Sequence, residues 1–164
     1  MFLTPTQQTA LRTYIQGNAT LNAFPHMADG AYAIADALTT SIDENFIVWK
    51  TSVSKDEIMQ NGFDWTMVDN LTVGKARIWE WMFANGSNSI NAAKTNIRAG
   101  IDSCWVGNAS FLAVRAAVYV HCKRVANQLE KVFATGTGTT ADPATMIIEG
   151  RMNYVDVMNA MGWE

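Results

Sequence analysis

Apolar positions recur on a helical period through most of this chain, and the longest such pattern lies between Ala109 and Ala134. Phe111, Val114, Val118, Cys122, Val125, Leu129 and Val132 are spaced three or four residues apart. That is one apolar stripe on a 3.6-residue period, and it predicts a single long helix over about 109–134. In its second half the opposite face is polar, with Lys123, Arg124, Asn127, Gln128, Glu130 and Lys131. In its first half Ala113, Ala116, Ala117 and Val120 make the segment apolar all round, with Arg115 the only charge. A helix apolar on every side must be covered on every side, by the rest of one domain or by a neighbouring subunit.

Punctuation places the other elements. Thr4-Pro5-Thr6-Gln7 is a capping box with proline in the first turn, and predicts a helix to about Gln16, stopped at Gly17. A loop with Pro25 follows, then a helix capped by Asp29 with Ala31, Ile34, Ala35, Leu38 and Ile42 on one face. The β-branched and aromatic run 45–53 reads as extended. Ser54 to Glu57 is a second capping box, and Gly62 ends its short helix. Asp64 or Asn70 starts a helix through Trp79, Trp81, Met82 and Phe83, stopped at Asn85-Gly86. Residues 87–95 read as loop and 96–105 as helix, with Gly107-Asn108 before the long helix. Met146 to Ile148 suggests a short strand, and Asn153 caps a last helix bearing Val155, Met158 and Met161. The expectation is a mainly α fold with one long helix (about 109–134) and minor β content. It is organised as a helical body over 1–135, with a flexible linker and C-terminal arm over 136–164 in the same single domain.

Composition adds a reason to think about assembly. Charged residues are only 16% of the chain, against a usual ~25%. Six Trp, seven Phe and nine Met suit either an aromatic-rich core or an interface core. A net charge of −3 argues against general nucleic-acid binding. Residues 29–70 hold eight acids against Lys50 and Lys55, whereas residues 71–135 hold eight bases against Glu80, Asp102 and Glu130. These halves pair within one fold, or they meet head to tail between copies. The start lacks the basic region and apolar core of a signal peptide, no run reaches the ~18 apolar residues of a membrane span, and the three Asn-x-Ser/Thr triplets read as chance.

Candidate chemistry is weak throughout. The Gly/Thr stretch 136–140 follows a helix C-terminus and lacks a lysine, so it reads as a linker and not a phosphate loop. His121 and Cys122 are adjacent on a helix and diverge by about 100°, which disfavours a nucleophile pair even with Asp102 and Cys104 nearby. His26 has no evident partner, and Asp43-Glu44 and Asp56-Glu57 fit helix ends better than paired catalytic acids. No catalytic residue, metal ligand set or cofactor is expected. Trp79, Met82 and Phe83 share a helix face while Trp81 points elsewhere, so that helix lies between two layers, the second either core or partner. The candidate subunit interface comprises Arg77, Trp81, Arg98, Ala113, Ala116, Ala117, Val120, Val155, Met158 and Met161.

The segments LTPTQQTALRTYI, VSKDEIMQNGFDWTMVDNLTVGKARIWEWMF, NIRAGIDSCWVG, AAVYVHCKRVANQLEKVFATGTGTT and DPATMIIEG resemble structural proteins of tailed bacteriophages. The likeness runs over most of the chain and carries no catalytic motif. It implies a helical virion protein of the head-to-tail adaptor (connector) type. Such a protein forms a ring, commonly of twelve copies, between portal and tail around the channel that passes genomic DNA. Expected partners are the chain itself, the portal protein and tail or neck proteins, with no membrane. Expected locations are the virion neck and, during assembly, the host cytoplasm. A tail terminator or completion protein is the alternative ring component, and a small phage-encoded enzyme the alternative of another class.

Overall fold

A computed structural model describes residues 3–60, 62–84 and 86–163. The chain divides into two compact units, residues 1–48 with 125–164 and residues 49–124.

The first unit opens on α1 (Pro5–Gly17), which begins as its capping box demands. The Thr4 hydroxyl accepts from the Gln7 N–H at 3.3 Å, and the Gln7 side chain accepts from the Thr4 N–H at 2.8 Å. The short α2 (Ala19–Asn22) is capped by Asn18. Next, α3 (Ala28–Thr40) starts earlier than an Asp29 cap implies, and Asp29 stands in its first turn where the helix dipole favours it. Gly30 makes that entrance possible, because a Cβ there would lie 1.8 Å from the Pro25 carbonyl oxygen. Two further helices complete the unit, α9 (Gln128–Phe133) and α10 (Tyr154–Met161), and both pack on α1 and α3. Leu11, Ile15, Ile34, Leu38, Leu129 and Val157 are fully buried between them. Fully burying one such side chain is worth about 1.5–3 kcal/mol, so α10 cannot leave without a large loss.

The stretch 135–145 is tied down. Thr135 and Thr145 exchange backbone hydrogen bonds, Thr139 N–H donates to the Asp142 carbonyl, and Ile47 N–H donates to the Gly138 carbonyl. Gly136 and Gly138 adopt positive φ, and a Cβ on Gly138 would lie 2.2 Å from the Phe46 ring. These glycines serve a tight turn against the strand β1 (Ile42–Trp49). The arm expected over 136–164 lies with residues 1–48 and its α10 packs on α1 and α3; the body expected over 1–135 is split between both units. The strand expected at 146–148 is absent; isolated bridges form instead at Ala144 and Thr145.

The second unit contains β2 (Val53–Ser54) and α4 (Lys55–Ile58), then α5 (Thr66–Asp69) and α6 (Val73–Phe83). After these come β3 (Ser89–Ile90), α7 (Thr95–Cys104) and α8 (Ala109–His121). β3 falls in a segment expected to be loop, and pairs antiparallel with β2, Val53 opposite Ile90. Ser54 caps α4, Thr72 caps α6 and Asn108 caps α8 through side-chain oxygens. The expected stop of α6 at Asn85 lies outside the described residues. Trp105 is the fully buried centre of the core, edge-on to Phe63, Trp79 and Phe111 at ring distances of 5.3–5.8 Å.

The expected mainly α fold is corrected. At 54% helix and 13% strand, with ten helices and two small antiparallel sheets among the described residues, this is a mixed α/β chain. The long helix does not exist. It ends at His121, gives way to β4 (Lys123–Asn127), and restarts as α9. Two causes act together. β1 is an eight-residue strand whose backbone groups need a partner, and residues 123–127 supply it as a paired strand. Asn127 and Glu130 form a capping box that opens a new helix inside the apparent stripe. The stripe holds through Cys122 and then shifts, with Ala126 fully buried in place of Val125, which is 37% exposed.

Candidate functional site

Most of the sequence's candidates for chemistry are buried or engaged in contacts within their own unit. Burial pushes the Cys122 thiol up to about 12, so it stays protonated, and Cys104 is raised by the same cause while donating to the Lys75 carbonyl at 3.4 Å. Asp102 is taken by its own unit: the Tyr119 hydroxyl lies 3.0 Å from its Oδ1, and Arg115 pairs with it at 3.5 Å. Burial, reinforced by that carboxylate, holds the Tyr119 phenol well above its usual range. Asp43 pairs with Lys131 at 2.6 Å, and Glu57 pairs with Lys50. His26 stacks on Trp163 at 4.8 Å. Among the described residues no group of three or more His, Cys, Asp or Glu is placed to hold a metal, and no helix is long and apolar enough to cross a membrane.

The candidate interface residues separate into outward and inward sets. On α6, Trp79 and Phe83 are buried while Trp81 is 75% exposed, with Arg77 and Ile78 exposed beside it. The helix therefore has core on one face and water on the other. On α8, Phe111, Val114 and Val118 face the core. The opposite face shows Leu112, Ala113, Ala116 and Val120, the last 70% exposed. Ala117 is half-buried, with its Cβ near Gly62.

The remaining candidates are occupied. Arg98 donates to the carbonyls of Ala92 and Ala93 at 2.7 and 2.9 Å and lies over the Trp49 ring at 4.7 Å, with Lys123 also over that ring. Met158 and Met161 are half-buried against the first unit's core, and only Val155 of that helix's apolar trio is exposed, at 42%.

A groove of about 410 Å³ lies in the first unit between α3 and the segment entering α10. Tyr32 and Tyr154 stack at 3.9 Å along it. Partial desolvation and the bond to the Tyr154 hydroxyl raise the Tyr32 phenol. Asp36, one turn after Tyr32, and Arg151 also line it. Sequence reading missed this groove. Its signal was Tyr32 and Asp36 at i and i+4 on the polar side of α3, which no periodicity joins to residues 151–154.

No protein-family model, no curated protein and no solved structure matches the chain.

Proposed function

We propose that this chain is a structural, non-catalytic protein of a tailed-phage virion, a head-to-tail adaptor that forms a ring of copies between portal and tail. The observation that carries the reading is Trp81, an indole 75% exposed on the outer face of a core helix. A tryptophan buries about 150–250 Å² when covered, and such residues are enriched at interface hot spots. The exposed Leu112–Val120 face of α8 adds apolar surface of the same kind. The segment resemblance to phage structural proteins supplies the setting. The net charge of −3 suits a channel through which DNA slides and is not gripped. Portal and tail proteins are the neighbours such a ring would touch. A tail-end ring component, which would use the same exposed apolar faces for self-association, is the second reading.

Cryo-electron microscopy of intact particles separates the two. Density for this chain as a ring directly beneath the portal supports the adaptor, and density at the distal face of the neck supports the tail-end protein. A chain found outside the particle, or hydrolytic activity in the purified protein that His121→Ala abolishes with folding intact, overturns both.

A further inference from the structure

We propose that the groove between α3 and residues 151–154 receives the outer face of α6 from a second copy of this chain; the proposal rests on the assembly reading and names its contact. The two surfaces carry matched, opposite equipment. On α6, Arg77, Glu80 and Trp81 stand at i, i+3 and i+4, which puts a cation, an anion and an indole on one helix face. All three are exposed, and none makes a side-chain hydrogen bond or ion pair among the described residues. The groove offers the complement: an anion in Asp36, a cation in Arg151, and an aromatic platform in the stacked Tyr32 and Tyr154. Asp36 and Arg151 are likewise without ion-pair partners among the described residues. Trp81 at 75% and Tyr32 at 55% exposure are both largely open to water within one chain.

Seating α6 in the groove sets Trp81 against the tyrosine pair, where offset or edge-on aromatic contact is favourable beyond the area it buries. It brings Arg77 to Asp36 and Glu80 to Arg151. Both charges of each surface are then paired, where an isolated buried charge would oppose docking. The volume of about 410 Å³ lies in the range of about 300–1,000 Å³ that accommodates a small organic group. The indole of Trp81 is such a group. Because the two surfaces differ, the contact is heterologous, and repeated copies close into a ring or run on as a filament. The contact also joins the acidic stretch 29–70 of one copy to the basic stretch 71–135 of the next, the asymmetry already present in the sequence.

The test exploits that asymmetry. Trp81→Ala damages only the donated helix and Tyr32→Ala only the groove; Trp81→Ala keeps the wild-type melting curve, and Tyr32→Ala, which gives up the stack on Tyr154, melts slightly lower but as cooperatively. Each alone self-associates at least about thirtyfold more weakly in sedimentation velocity, the loss expected for truncating an aromatic hot spot. Mixed at equal concentration they form a heterodimer, because one intact helix meets one intact groove. Independently, the Asp36→Cys/Arg77→Cys double variant, oxidised mildly in solution and within particles, gives a ladder of disulfide-linked oligomers that neither single variant gives. If wild-type chains form rings while Trp81→Ala and Tyr32→Ala associate normally and no ladder appears, the inference falls and the assembly reading stands. If wild-type chains are monomeric in solution and in particles, both fall. A small molecule found in the groove of chains whose assembly ignores Trp81→Ala also overturns it.

Discussion

Gly138 and Gly30 are the positions where a single added carbon does most harm. A Cβ on Gly138 would sit 2.2 Å from the Phe46 ring at a φ of +69°, so Gly138→Ala meets both a clash and a disfavoured backbone. A loss of roughly 2 kcal/mol or more in denaturant unfolding is expected. The two cysteines should be silent in the folded chain. Both are fully buried and their thiols are raised by that burial, so a thiol-reactive dye at pH 8 labels neither until the protein unfolds, and then labels both. Asp43 is the residue through which acid should act. The hydrogen bond from Lys131 holds its carboxyl below the usual range. Its contribution to stability is therefore complete above the unfolded carboxyl's value of about 3.9 and is lost as pH falls through the lower folded value. Asp43→Asn should flatten that acid limb in melts between pH 5 and 2, with a cost at pH 7 under about 1 kcal/mol because the pair is near the surface.

At the level of elements, several caps were legible, those expected at Asp29 and at Asp64 or Asn70 were misplaced, and pairing was not legible. Thr4, Ser54 and Asn153 begin helices where short-range polar patterns said they would, because a cap is decided within four residues. The break between α8 and α9 was misread for the opposite reason. A 3.6-residue count across 109–134 cannot register that β1, eighty residues upstream, needs a partner. The local clue was Asn127-Gln-Leu-Glu130, a capping box hidden inside the stripe. Thr72, three residues before Lys75, was a similar clue to the start of α6. Asn127→Ala should cost about 1 kcal/mol in thermal unfolding by removing the cap of α9, and Glu130→Gln, which keeps an acceptor, should cost less.

At the scale of the whole molecule, the candidate surface was legible where exposure follows helix geometry, as for Trp81 and Val120. It was illegible where side chains fold back. Arg98 looks like Arg77 in sequence but serves two carbonyls and the Trp49 ring. Charge reversal should tell them apart. Arg98→Glu lowers unfolding stability by about 2–3 kcal/mol, whereas Arg77→Glu leaves the melt unchanged and weakens assembly in a salt-dependent way. The groove was beyond reach because its walls are more than a hundred residues apart. Deleting residues 141–164 should give an insoluble product, since it strips α10 from α1 and α3 and uncovers Ile15 and Ile34.

The split of the first unit into residues 1–48 and 125–164 also sets a timetable for synthesis. Its opening helices leave the ribosome early, and the helix that covers them comes last. At about 5–20 residues per second, the inserted segment 49–124 alone takes roughly 4–15 s to translate. During that interval the apolar faces of α1 and α3 have no permanent cover, while the second unit, encoded without interruption, can close as soon as it emerges. Nascent chains of this protein should therefore be chaperone clients through their first fifty residues, and slowing translation late in the message should aggravate aggregation more than slowing it early.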